Sequence, residues 1–75
     1  MVEVRDVARI AQEKYGDFAS MHEAYAVLAE EVAELFEAVR LRQENHERGA
    51  HIAKEAIDVA AVAIRIAEQA QRVTR

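Results

Sequence analysis

Apolar residues recur along this chain at three- and four-residue intervals, the period of an α-helix with one buried face. Val4, Val7, Ala8, Ile10, Ala11 and Tyr15 form the first such stripe and predict a helix over about 2–15. Gly16 follows where a helix commonly closes in the left-handed conformation. Asp17-Phe18-Ala19 is a short connection, with Phe18 available to plug the end of a bundle. Ser20 and Glu23 have the spacing of a capping box, so a second helix should start at Met21. It is expected to run over about 21–44, with Met21, Ala24, Leu28, Val32, Leu35 and Val39 as its apolar line. Asn45 to Gly49 has the polar, glycine-containing chemistry of a helix–helix connection.

A third helix is expected over about 50–73, with the stripe Ile52, Ala56, Val59, Ala63, Ile66, Ala70 and Val73. A second apolar set, Ala53, Ile57, Ala60, Ala61, Ile64 and Ala67, covers much of its other side. A helix apolar nearly all round is buried all round, and two other helices of one subunit cannot surround it. The expected fold is therefore all-α. One domain over 1–75 forms a three-helix antiparallel unit, completed by oligomerisation into a larger helical bundle, a homodimer or homotetramer.

Composition supports that reading. The 75 residues are 52% hydrophobic, with no Pro and no Cys, so a small helical domain must hold together without disulfides or thiolate metal sites. A net charge of -4 argues against nucleic acid as a bulk electrostatic partner. No apolar run approaches the ~20 residues of a membrane span, and the charged N-terminus does not read as a signal peptide. A cytoplasmic location is expected.

Against this background, the acidic residues stand out. Glu31 with Glu34, and Glu55 with Asp58, each lie at i and i+3 on one helix face. Glu31 and Glu55 fall inside the apolar stripes, where an unpaired carboxylate costs several kcal/mol. If the second and third helices pack antiparallel, four carboxylates converge, and a cation belongs between them. An all-oxygen donor set suits Mg2+ or Mn2+ better than Zn2+. Lys54 and Arg65, on the same flank, would stabilise charge on phosphate oxygens. The plainer alternative is that the acids pair with Arg40, Arg42, Lys54 or Arg65, or lie on solvated faces.

E-x-x-E, a spacer of about twenty residues, then E-x-x-D resembles the MazG-like all-α nucleotide pyrophosphohydrolase superfamily. The resemblance runs from Ser20 to about Glu68, through HEAYAVLAEEVAELFEAV and KEAIDVAAVAIRIAE, and the second segment looks especially like small members of bacterial and phage origin. It implies metal ligation by Glu31, Glu34, Glu55 and Asp58, with Glu30 as an accessory acid. It further implies Mg2+-dependent attack of water between the α and β phosphates of a nucleoside triphosphate, giving the monophosphate and pyrophosphate, as in clearance of unwanted nucleotides. Glu30 or Glu34 would orient the water or take its proton. His22 is a candidate contact to the base, as are Phe18, Tyr25 and Phe36. The chain is shorter than most members and has no obvious fourth basic helix, a wall that oligomerisation would supply. A phosphoribosyl-ATP pyrophosphatase is the nearest variant, and a catalytically silent interaction module of the same fold is the alternative of another class.

Overall fold

The structure, a computed structural model, describes residues 3–41 and 47–73, apart from the side chains of Glu47 and Arg48. It is all-α: α1 spans Val4–Tyr15, α2 Met21–Arg40 and α3 Glu47–Val73. α1 and α2 each pack on α3, and among the described residues they make no backbone approach to each other. α3 is thus the spine, and a cleft runs between the other two with α3 as its floor. The Cα radius of gyration, 13.7 Å, exceeds the roughly 11 Å of a compact domain of this length. Little is enclosed.

Local sequence explains the helix starts. Ser20 is extended (φ -156°, ψ 165°) and its Oγ accepts from the Glu23 N–H at 3.0 Å, which satisfies one orphan donor of the first turn. The Glu3 carboxylate accepts from the Arg5 N–H in the same way at the head of α1. Gly16 closes α1 with its N–H on the Gln12 carbonyl at 2.8 Å. Its φ of 73° is positive as expected, but its ψ of -164° lies outside the left-handed helical well, in a region essentially reserved for glycine.

Two boundaries differ from expectation. α2 ends at Arg40, with Leu41 extended (φ -65°, ψ 134°), rather than near residue 44. α3 begins at Glu47, so Glu47 to Gly49 belong to the helix, not to the connection; Asn45 and His46 lie outside the described residues. A glycine in a first turn breaks little, because the N–H groups there have no intrahelical partner to lose.

The packing seam also differs from the expected apolar line. On α2 the buried residues are Ala24 and Ala38, whereas Met21, Val32 and Val39 are exposed. On α3 the buried residues Glu55, Val62 and Gln69 recur every seven positions. Ala24 packs with Val62 and Phe18, and Val27, Leu28 and Ile66 flank them. Antiparallel pairing then sets Glu31, seven residues beyond Ala24, across from Glu55. The alanines allow a close approach but bury little area, and among the described residues no large side chain is fully enclosed. On α3's second apolar set, Ala61 is buried and Ile57, Ala60 and Ile64 are half-buried, while Ala53 and Ala67 are exposed. α1, through the buried Ala8, supplies cover to α3 from within the same chain. The large exposed apolar residues concentrate instead on α2, where Tyr25 (70%) and Phe36 (62%) stand beside Val32 and Val39.

The two glycines should respond oppositely to alanine. A Cβ at Gly49 meets nothing within 4 Å and its φ is not positive. Gly49→Ala should therefore stabilise by about 0.4–1 kcal/mol. Gly16→Ala should destabilise by about 1–3 kcal/mol through its backbone conformation alone. Thermal unfolding followed by circular dichroism checks both, and equal shifts of one sign would refute the assignment.

Candidate metal centre

Halfway along the α2–α3 seam, carboxylate oxygens of Glu31, Glu34 and Glu55 lie within 4.8 Å of one another. The helices position them in different ways. Glu55 occupies the seam itself and is only 7% exposed. Glu31 takes the seam position of α2 midway between Ala24 and Ala38 and is half-buried. Glu34, one turn on, is exposed at the rim. One oxygen of Glu31 and one of Glu55, Oε2 in each, is buried without a hydrogen-bond partner. A buried polar atom normally has a partner, so this pair marks a place where the fold alone leaves polar groups unsatisfied.

Asp58, the fourth acid expected to converge, stands one turn beyond Glu55 and outside the three-carboxylate group, half-buried, with its Oδ2 2.9 Å from Lys54 Nζ. Lys54 also reaches to 3.7 Å from Glu55 Oε1, and His51 Nε2 approaches the same oxygen at 3.6 Å. Burial pushes the Glu31 carboxyl above its ordinary range; repulsion from Glu34, Asp58 and Glu55 adds to this, and Lys54 partly offsets it. The hydrogen bond to Asp58, and then the charges of Asp58 and Glu55, hold the Lys54 ammonium above its ordinary range.

Other residues singled out from the sequence fall elsewhere. Glu30 is exposed and does not join the three-carboxylate group. His22 is exposed in the first turn of α2 and does not line the cleft. Arg40 pairs with Glu37 at 3.2 Å, not with the cluster. Arg65 is buried two turns beyond Asp58, its Nε donating to Gln12 Oε1 at 3.2 Å and its Nη2 to the Gly16 carbonyl at 3.1 Å. Its guanidinium also lies 4.4 Å from the Phe18 ring centroid. Gln69 fixes the backbone of Phe18 on both sides, accepting from its N–H and donating to its carbonyl, each at 2.9 Å. These two side chains, with Arg72 on Asp17 at 2.6 Å, fasten the α1–α2 connection to α3. The partners lie about fifty positions away in the chain, so only the seven-residue recurrence of Glu55, Val62 and Gln69 hinted at the burial of Gln69.

Glu31, Asp58 and Arg65 line the cleft between α1 and α2, about 490 Å³, together with Tyr15, Phe18 and Val27. Glu34, Glu55 and His51 line a smaller groove of about 310 Å³. The acidic cluster therefore separates two openings. Its donor set fits a hard divalent cation: ligand distances of about 2.0–2.6 Å put opposite oxygens about 4–5 Å apart, comparable to the span observed. Comparison with protein-family models, with curated proteins and with solved structures finds no match to this chain. The family resemblance rests on the residues themselves. Among the described residues no helix is long and apolar enough to cross a membrane.

A carboxyl whose pKa is raised by folding favours the native state most at low pH and loses that contribution as pH rises through its folded value. Glu31→Gln should thus raise the melting temperature of the chelator-treated protein at pH 7. The gain should shrink as pH falls through the raised Glu31 pKa and disappear below the ordinary glutamate range. Melting curves from pH 3 to pH 8 check the sign; a variant less stable than wild type at pH 7 would contradict it.

Proposed function

We propose that this protein is a Mg2+- or Mn2+-dependent nucleoside triphosphate pyrophosphohydrolase of the MazG-like type, working as a homo-oligomer. The observation that carries the reading is the pair of buried, unpartnered carboxylate oxygens, one on Glu31 and one on Glu55, within a group of carboxylates that approach to within 4.8 Å of one another beside a cleft large enough for a nucleotide. A sequence selected only for folding would have apolar residues at those two seam positions. Glu31, Glu34, Glu55 and Asp58 would hold the metal, which when bound supplies charge neutralisation for the triphosphate and a lowered pKa for water.

The chain's own residues divide the remaining work. Glu34, the exposed member of the cluster, holds the attacking water and takes its proton at a carboxylate oxygen. Glu30, pointing away from the group, is the weaker choice for that role. Lys54 is the exposed cation beside the acids and faces the phosphates. Arg65 acts as a positioning residue, since its donors hold the wall of the cleft through Gln12 and Gly16. Tyr15, exposed at the cleft's far end, offers aromatic surface to a base, about 10 Å along α3 from the acids.

The Lys54–Asp58 pair favours a second reading, a silent helical module whose acids are partly neutralised from within. Pyrophosphate release from a panel of ribo- and deoxynucleoside triphosphates with Mg2+ separates the two. Turnover of at least one nucleotide is expected, and Glu55→Gln should reduce it by at least about 100-fold while leaving the helical circular dichroism unchanged. No release from any nucleotide would favour the silent module, and activity surviving in Glu55→Gln would remove it from the ligand set.

The exposed stripe of Tyr25, Val32, Phe36 and Val39 supports self-association, because a chain of this size with an alanine-lined seam has little core of its own. Light scattering at micromolar concentration should give twice or four times the 8.4 kDa chain mass. A stable monomer would contradict the oligomer.

A further inference from the structure

Lys54 stands in an unusual relation to the acids. It belongs to α3, one turn before Asp58, and its ammonium is 2.9 Å from Asp58 and 3.7 Å from Glu55. Its side chain is 67% exposed, so it can leave without disturbing the packing. It approaches the rim, at Asp58 Oδ2 and Glu55 Oε1, while Oε2 of Glu31 and Oε2 of Glu55 stay bare. Its charge nonetheless acts on the cluster, lowering the Glu31 pKa against the other influences. Among the described residues, Glu31 from α2 also acts on the ammonium, and His51 from α3 reaches the same Glu55 oxygen; neither brings a permanent positive charge.

We propose that Lys54 is a tethered counter-ion: it holds Asp58 while the cluster is metal-free, and a divalent cation that takes Asp58 and the inner oxygens displaces it. This rests on the metal-site reading above and adds a regulation of that site. Two consequences follow from competition for one carboxylate. The empty cluster keeps part of its repulsion neutralised, which protects the fold before the cation arrives. The cation, in binding, releases an ammonium beside the cleft that Asp58 lines, so a phosphate-facing donor becomes available only once the site is loaded.

The full chain, stripped with chelator, is titrated with MnCl2 and the midpoint read by calorimetry and by the rise in melting temperature. Lys54→Met should bind Mn2+ about two- to fivefold more tightly than wild type, the range expected for removing an exposed competing ion pair. Its metal-free melting temperature should fall, and Lys54→Arg should keep the wild-type midpoint. In wild type, the Lys54 side-chain NMR resonances should move to free-lysine positions on adding MgCl2, a readout that stands even if the methionine variant folds poorly without metal. An unchanged or weaker Mn2+ midpoint in Lys54→Met, or Lys54 resonances indifferent to Mg2+ that does bind, overturns the counter-ion role and leaves the metal reading intact. A wild type that binds neither ion overturns both.

Discussion

The close approach of α2 to α3 is the constraint on which the molecule depends. Ala24 and Ala38 are fully buried on one helix and Val62 is mostly buried on the other, and the small side chains bring the two backbones near enough for Glu31 and Glu55 to meet. At any larger separation the two acids would be solvated from the gap and would carry little meaning. At this one, two carboxylates share a partly desolvated space, where like charges repel far more strongly than in water. The same alanines bury little apolar area, so the seam that creates the repulsion is poorly equipped to offset it.

The third helix contains its own control for that interpretation. Glu55 and Gln69 lie on one heptad line with Val62 between them, and both are buried polar residues. Gln69 has both its oxygen and its nitrogen bonded to the Phe18 backbone, and Arg65 beside it is taken up by Gln12, Gly16 and the Phe18 ring. Those are polar groups used to build structure. Glu55 has one oxygen near Lys54 and His51 and the other bare. Polar groups are satisfied at one end of the helix and left short at the other, and that contrast, more than the number of acids, is what supports the metal proposal.

The helices were legible because the apolar period of 3.6 is repeated three times and Ser20 caps where its spacing says it should. Their faces were less so. A wheel weighted toward large apolar side chains puts Val32 and Val39 at the centre of α2, but close packing selects the alanines and turns the valines outward. The end of α2 at Arg40 carries no glycine or proline signal, and Gly49 suggested a break where the helix had already begun. The doubled acidic spacing, and the intrusion of Glu31 and Glu55 into the stripes, could be read directly from i and i+3 positions. Arg65 is the opposite case: its place on the flank of the acids suggests a phosphate contact, whereas its hydrogen-bond partners come from α1 and from the loop after it, contacts of a kind that no local pattern encodes.

The two unmet demands of the chain fall on different sides of α2. Glu23, Val27 and Glu31 line the cleft, while Tyr25, Val32 and Phe36 are exposed about 100° or more around the helix from them. A second copy seated on the aromatic stripe would therefore add the apolar burial that the alanine seam lacks without closing the cleft or covering Glu34. Had the stripe fallen on the cleft side, self-association and access to the acids would compete, and an oligomer would have to open before a ligand entered. With the demands separated, stability can come from one face of α2 while the opposite flank keeps Glu31 strained and open, the condition under which a cation gains most by binding.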